Sequence, residues 1–80
     1  MASIPTEVDK IISGITGSLV NDFSAPLSSL GITGPKLGEL TSQLNTFVEE
    51  KKPGASIDAS EVTADLTVQQ VIDIVSGLLD

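Results

Sequence analysis

Eighty residues carry four lysines against eleven carboxylates, a net charge of −7, with two phenylalanines and no Trp, Tyr, His or Cys. Such a chain is one small domain, 1–80, burying about 60 to 65% of its unfolded surface around a core of Leu, Ile and Val. The charge disfavours nucleic acid and favours a basic protein patch, while the missing Cys and His remove disulfides, thiolate zinc and the usual general base.

The first predicted element runs from Ser3 to about Leu19. Ile4, Val8, Ile11, Ile12, Ile15 and Leu19 recur at spacings of three and four and draw one apolar stripe on a helix. Ser3 can cap its start and Pro5 fits the first turn. Gly14 and Gly17 each cost about 1 kcal/mol relative to Ala, so fraying is expected at the far end.

From Asn21 to Gly34, turn formers (Ser24, Pro26, Ser28, Ser29, Gly31) alternate with Phe23, Leu27, Leu30 and Ile32. That mixture predicts a long loop pinned onto the core by its apolar residues. The second helix begins after Thr33 or Gly34, either of which can cap, with Pro35 in the first turn. Leu37, Leu40, Leu44, Phe47 and Val48 form its stripe, and Lys51-Lys52-Pro53-Gly54 stops it.

Two capping signatures follow. Asp58 with Glu61, flanked by Ile57 and Val62, predicts a brief third helix; Thr67 with Gln70, flanked by Leu66 and Val71, opens the last one. Val68, Val71, Ile72, Val75, Leu78 and Leu79 should then face inward. No strand alternation is present. The expected class is all-α, a small bundle of three main helices plus a short third helix, with a long loop between helices one and two.

Other motifs exclude more than they suggest. Gly-x-x-Gly at Gly14 and Gly31 lacks the basic neighbours of an RNA loop, and Gly34 to Gly38 lacks the surrounding apolar span of a membrane helix pair. Asp58, Ser60 and Asp65 miss the glycine and glutamate of a calcium loop. No pair of carboxylates is spaced as a catalytic site, so an enzyme is not expected. No secretory signal or membrane span is read from the sequence. The expectation is a soluble, cytoplasmic protein, monomeric or a domain of a larger chain.

The stretch Leu27 to Leu40, Leu-Ser-Ser-Leu-Gly-Ile-Thr-Gly-Pro-Lys-Leu-Gly-Glu-Leu, resembles the central segment of the acyl carrier proteins of polyketide and fatty acid synthases. There a Leu-x-x-Leu-Gly loop runs into Asp-Ser-Leu at the start of the second helix, and Glu-Leu follows five and six residues after the serine. With Gly34 on the serine position, Glu39 and Leu40 fall on those places. Thr67-Val68-Gln69-Gln70-Val71 is similar to the family's Thr-Val-x-x-Val entry to its last helix, so the resemblance covers nearly the whole chain.

The resemblance implies an acyl-carrier-like bundle without its handle. In that family the serine oxygen attacks the pyrophosphate of coenzyme A and takes up a phosphopantetheine arm. Gly34 has no side-chain oxygen, so no cofactor is expected. Two other hydroxyls can be weighed. Modification at Ser29 would need a helix running through Gly31, Gly34 and Pro35, and an interior proline costs about 3 kcal/mol. Thr33 is β-branched and one residue out of register, although its side chain could still cap the helix as the family's aspartate does.

What remains is a non-carrying protein-interaction module. The resemblance places its partner-binding surface at Leu30, Thr33, Gly34, Lys36, Leu37 and Glu39, facing a synthase component with a basic docking patch. Two alternatives stay open: a genuine carrier, modified elsewhere or altered at its serine, and an unrelated small helical docking or assembly domain.

Overall fold

A computed structural model describes residues 3–20 and 22–79; Met1, Ala2, Asn21 and Asp80, and with them the first residue of the expected loop and the start of the N-terminal segment read for a signal, lie outside the described residues. The chain forms α1 (Ile4–Thr16), α2 (Pro35–Lys51) and α3 (Val68–Leu79), with single 3₁₀ turns at Leu27–Leu30 and Ala59–Glu61. Each of the three helices packs on the other two. The result is the all-helical small bundle expected from the pattern, with no strand among the described residues.

Local chemistry sets the helix ends. Ser3 caps α1 by accepting the Thr6 N–H at 3.3 Å, and Pro5 lies in the first turn. At the other end Gly17 adopts φ 77° and donates its N–H to the Ser13 carbonyl, a left-handed glycine cap. The stripe expected to reach Leu19 therefore stops at Thr16, ended by a defined cap rather than by fraying. Leu19 is 79% exposed and is not part of the core.

Helix α2 carries Leu40, Leu44, Phe47 and Val48 inward as its spacing predicts, and Leu37 half-buried beside them. Thr41 is also buried. Its hydroxyl donates to the Leu37 carbonyl at 2.8 Å, which satisfies the one polar atom that burial would otherwise strand.

The predicted brief third helix is a three-residue 3₁₀ turn. Asp58 accepts the Ser60 N–H at 2.9 Å, which holds its carboxyl below the usual range. The Glu61 N–H goes instead to the Asp58 backbone carbonyl, so the expected Asp58 and Glu61 capping box does not close. Ile57 and Val62 are nonetheless both buried. The apolar half of that signature holds while its polar half is replaced by a tighter turn.

The box at α3 does close. Thr67 N–H donates to Gln70 Oε1 at 2.9 Å and Gln70 N–H to Thr67 Oγ1 at 3.2 Å. Val68, Val71, Ile72 and Val75 are buried, and Leu78 and Leu79 pack half-buried at the edge.

The loop ahead of α2 is held against the start of α3 by main-chain hydrogen bonds. Leu27 N–H donates to the Leu66 carbonyl at 2.8 Å and Ser28 N–H to the Ala64 carbonyl at 3.1 Å. In return, Gln69 N–H reaches the Phe23 carbonyl at 2.9 Å. A single antiparallel bridge, Pro26 with Thr67, marks the seam. Leu27 and Ile32 are fully buried. The loop thus lies on the bundle, in keeping with a radius of gyration of 11.4 Å against about 11.6 Å for a compact chain of this length.

A second loop, between α2 and the 59–61 turn, hangs on one side chain. Asn45 donates Nδ2 to the Ile57 carbonyl at 3.1 Å and accepts the Ile57 N–H on Oδ1 at 2.6 Å, acting as a substitute strand for that one residue. Removing it leaves a buried residue's backbone unpaired, a loss of about 1–3 kcal/mol. Asn45→Ala should lower the urea midpoint accordingly with an unchanged m-value, whereas Thr46→Ala, at an exposed neighbour, should shift stability by less than about 0.5 kcal/mol.

Candidate protein-docking site

The turn into α2 is built on one of the glycines held at positive φ. Gly34 has φ 55° and ψ −127°, close to the first central position of a type II′ turn, about +60° and −120°. Lys36 N–H closes that turn on the Thr33 carbonyl at 3.1 Å. A Cβ at Gly34 would meet nothing within 4 Å. The position is therefore open in space but shut in torsion, since only glycine reaches such angles without strain.

Pro35 follows as the first residue of α2, where its fixed φ suits the helix and its absent N–H is no loss. No side chain caps this helix. Gly34 takes the cap position and Leu37 N–H donates to its carbonyl at 3.0 Å. The expected capping by the Thr33 side chain is corrected accordingly: only its backbone carbonyl serves, and Thr33 itself is exposed.

The predicted docking residues divide into three groups. Thr33, Gly34 and Glu39 are exposed, as are Pro35 and Gly38 beside them. Leu30 and Leu37 are half-buried and pack against the core, so each offers an edge rather than a whole side chain. All of them lie ahead of α2 or in its first turns. Lys36 is exposed but folds back, its Nζ donating to the Ile15 carbonyl at 3.4 Å. Helix α1 has no basic residue in its last turn, and Lys36 supplies that cation from the neighbouring helix.

Ser29, the other candidate hydroxyl, is exposed within the Leu27–Leu30 turn. That turn ends at Gly31, whose φ of 86° caps it and returns N–H bonds to Leu27 and Ser28. Ser29 is thus separated from α2 by two left-handed glycines, at 31 and 34. Among the described residues, no group of three or more carboxylates could hold a metal ion, and no helix is long and apolar enough to cross a membrane.

Two features went unread in the sequence. Gly34-Pro35 is a legible signal, because glycine at the first central position is the mark of a type II′ turn. Lys36 as a cap for another helix has no sequence signal at all, since it depends on how α1 and α2 cross. No protein-family model matches the chain, and comparison with curated proteins and with solved structures gives no match.

Two glycines four residues apart in this stretch should respond in opposite directions. Gly34→Ala forces a side chain into left-handed torsion and should destabilise the fold by about 1–3 kcal/mol. Gly38→Ala, in α2 with open space around it, should stabilise by up to about 1 kcal/mol. Paired thermal and urea unfolding of the two variants checks both signs.

Proposed function

We propose that this chain is a carrier-shaped docking module that holds no cargo. It would present the strip around Leu30, Thr33, Gly34, Leu37 and Glu39 to a basic patch on a component of a polyketide or fatty acid synthase. The supporting observation is the Gly34 backbone, at φ 55° and ψ −127°. In the resembled frame this is the attachment position, and here it lacks a side-chain oxygen and has torsions that disfavour any residue able to supply one.

Recognition without an arm must come from the protein surface. A net charge of −7 draws a basic partner from a distance. Exposed Glu39 then gives that attraction a place, and the edges of Leu30 and Leu37 give it a little apolar area. Lys36, turned toward α1, leaves the strip more acidic than its sequence reads. Such a small surface suits a modest, transient interface.

Intact mass after incubation with coenzyme A and a broad-specificity phosphopantetheinyl transferase tests the reading, beside Gly34→Ser. The wild type should gain nothing and compete with a genuine carrier for a synthase component, and Glu39→Lys should lose that competition. A wild type that takes up one phosphopantetheine would overturn the proposal and send peptide mapping to Ser29 and Thr33. Modification of Gly34→Ser alone would mean that the surface still attracts the transferase once the handle is restored. Should neither protein react nor compete, an unrelated helical docking domain becomes the better account.

A further inference from the structure

Helix α3 begins with its backbone donors held from two sources. The first four N–H groups at a helix start lack partners within the helix, here those of Thr67, Val68, Gln69 and Gln70. The capping box answers for the outer two: Thr67 N–H donates to Gln70 Oε1 at 2.9 Å and Gln70 N–H to Thr67 Oγ1 at 3.2 Å. The inner two reach outside the helix. Val68 N–H donates to the Ala25 carbonyl at 3.4 Å and Gln69 N–H to the Phe23 carbonyl at 2.9 Å, so the loop ahead of α2 serves as part of the cap of α3.

That loop is held lightly for its length. Among the described residues, 22–34 make no side-chain hydrogen bond to another element; the side-chain bond they contain is local, from Ser24 N–H to Asp22 Oδ1. Attachment rests on four main-chain bonds to residues 64–69 and on the burial of Leu27 and Ile32, with Phe23 and Leu30 partly covered. The helices meanwhile carry a core of their own. Val8, Ile12, Leu44, Val48 and Val75 are buried on α1, α2 and α3, each of which packs on the other two.

We infer that residues 22–34 form a latch on α3: they release from the helical core as one unit, together with the first turn of α3, while α1, α2 and the remainder of α3 stay packed. The bonding explains why the release is concerted. Withdrawing the loop strands the Val68 and Gln69 donors and the Ala64 and Leu66 carbonyls at once, and losing the first turn of α3 strands the Phe23 and Ala25 carbonyls. Each side therefore holds its bonds only while the other is in place. Such an opening lies between fraying of single residues and global unfolding. The latch belongs to the free chain and does not rest on the docking proposal.

The test is amide hydrogen exchange of the isotope-labelled full chain, followed residue by residue where the opening equilibrium sets the rate. The amides of Leu27, Ser28, Ile32 and Gln69 should share one protection factor, about tenfold or more below that of Leu44 and Val48. Gln70→Ala removes the acceptor of the Thr67 N–H and should lower all four together by about fivefold. Gln70→Glu keeps an acceptor at that place and should restore them. Ser3→Ala removes the cap of α1, an interaction that the open latch retains; it should lower Leu44 and Val48 and leave the four unchanged.

Protection of the four equal to that of Leu44 and Val48 would overturn the inference, since the loop would then open only with the whole molecule. Unequal factors among the four would overturn it too. So would a Gln70→Ala chain in which Gln69 loses protection while Leu27 and Ser28 keep theirs, because the end of α3 would then be fraying by itself. Gln70 is exposed, so its substitution leaves the core intact, and the wild-type comparison decides the first two outcomes without any variant.

Discussion

A chain this small cannot leave a long stretch of irregular backbone unpaired over its core. Between α1 and α2 that problem is solved by the seam with residues 64–69, where Leu27, Ser28 and Gln69 exchange main-chain hydrogen bonds with Leu66, Ala64 and Phe23. The seam satisfies backbone groups that helices satisfy internally. It also delivers Leu27 and Ile32 to full burial and fixes where α2 begins. The Gly34 turn and the Lys36 contact with α1 lie directly after this pinned loop.

Much of the bundle was legible because its signals are local. The stripe Leu40, Leu44, Phe47 and Val48 and the box formed by Thr67 and Gln70 depend on neighbours three or four residues away, and both stand as read. Where two local signals competed, pattern lost to backbone chemistry: α1 ends at the Gly17 cap although Leu19 continues the stripe. At Asp58 the reverse ambiguity arose. The same cap residue serves a 3₁₀ turn as well as an α-helix, and only three residues fit before Val62 turns into the core.

What sequence reading could not reach is non-local. Asn45 reads as an ordinary polar residue on a helix, yet it carries both hydrogen bonds of Ile57. The seam follows from no strand pattern, because it comprises one bridge and a few bonds rather than a ladder. That Glu7 of α1 and Glu50 of α2 line one shallow depression requires knowing how those helices cross. At the start of α2 the order of residues along the chain was readable, whereas the inward pull on Leu30, Leu37 and Lys36 was not.

The seam joins residues about 40 apart in sequence. At translation rates of about 5–20 residues per second, some 2 to 8 seconds separate the synthesis of Leu27 from that of Leu66. During that interval α1 and the loop exist without the carbonyls that the loop's amides will pair with. The loop ahead of α2 therefore cannot reach its final main-chain pairing until Ala64 and Leu66 have been made.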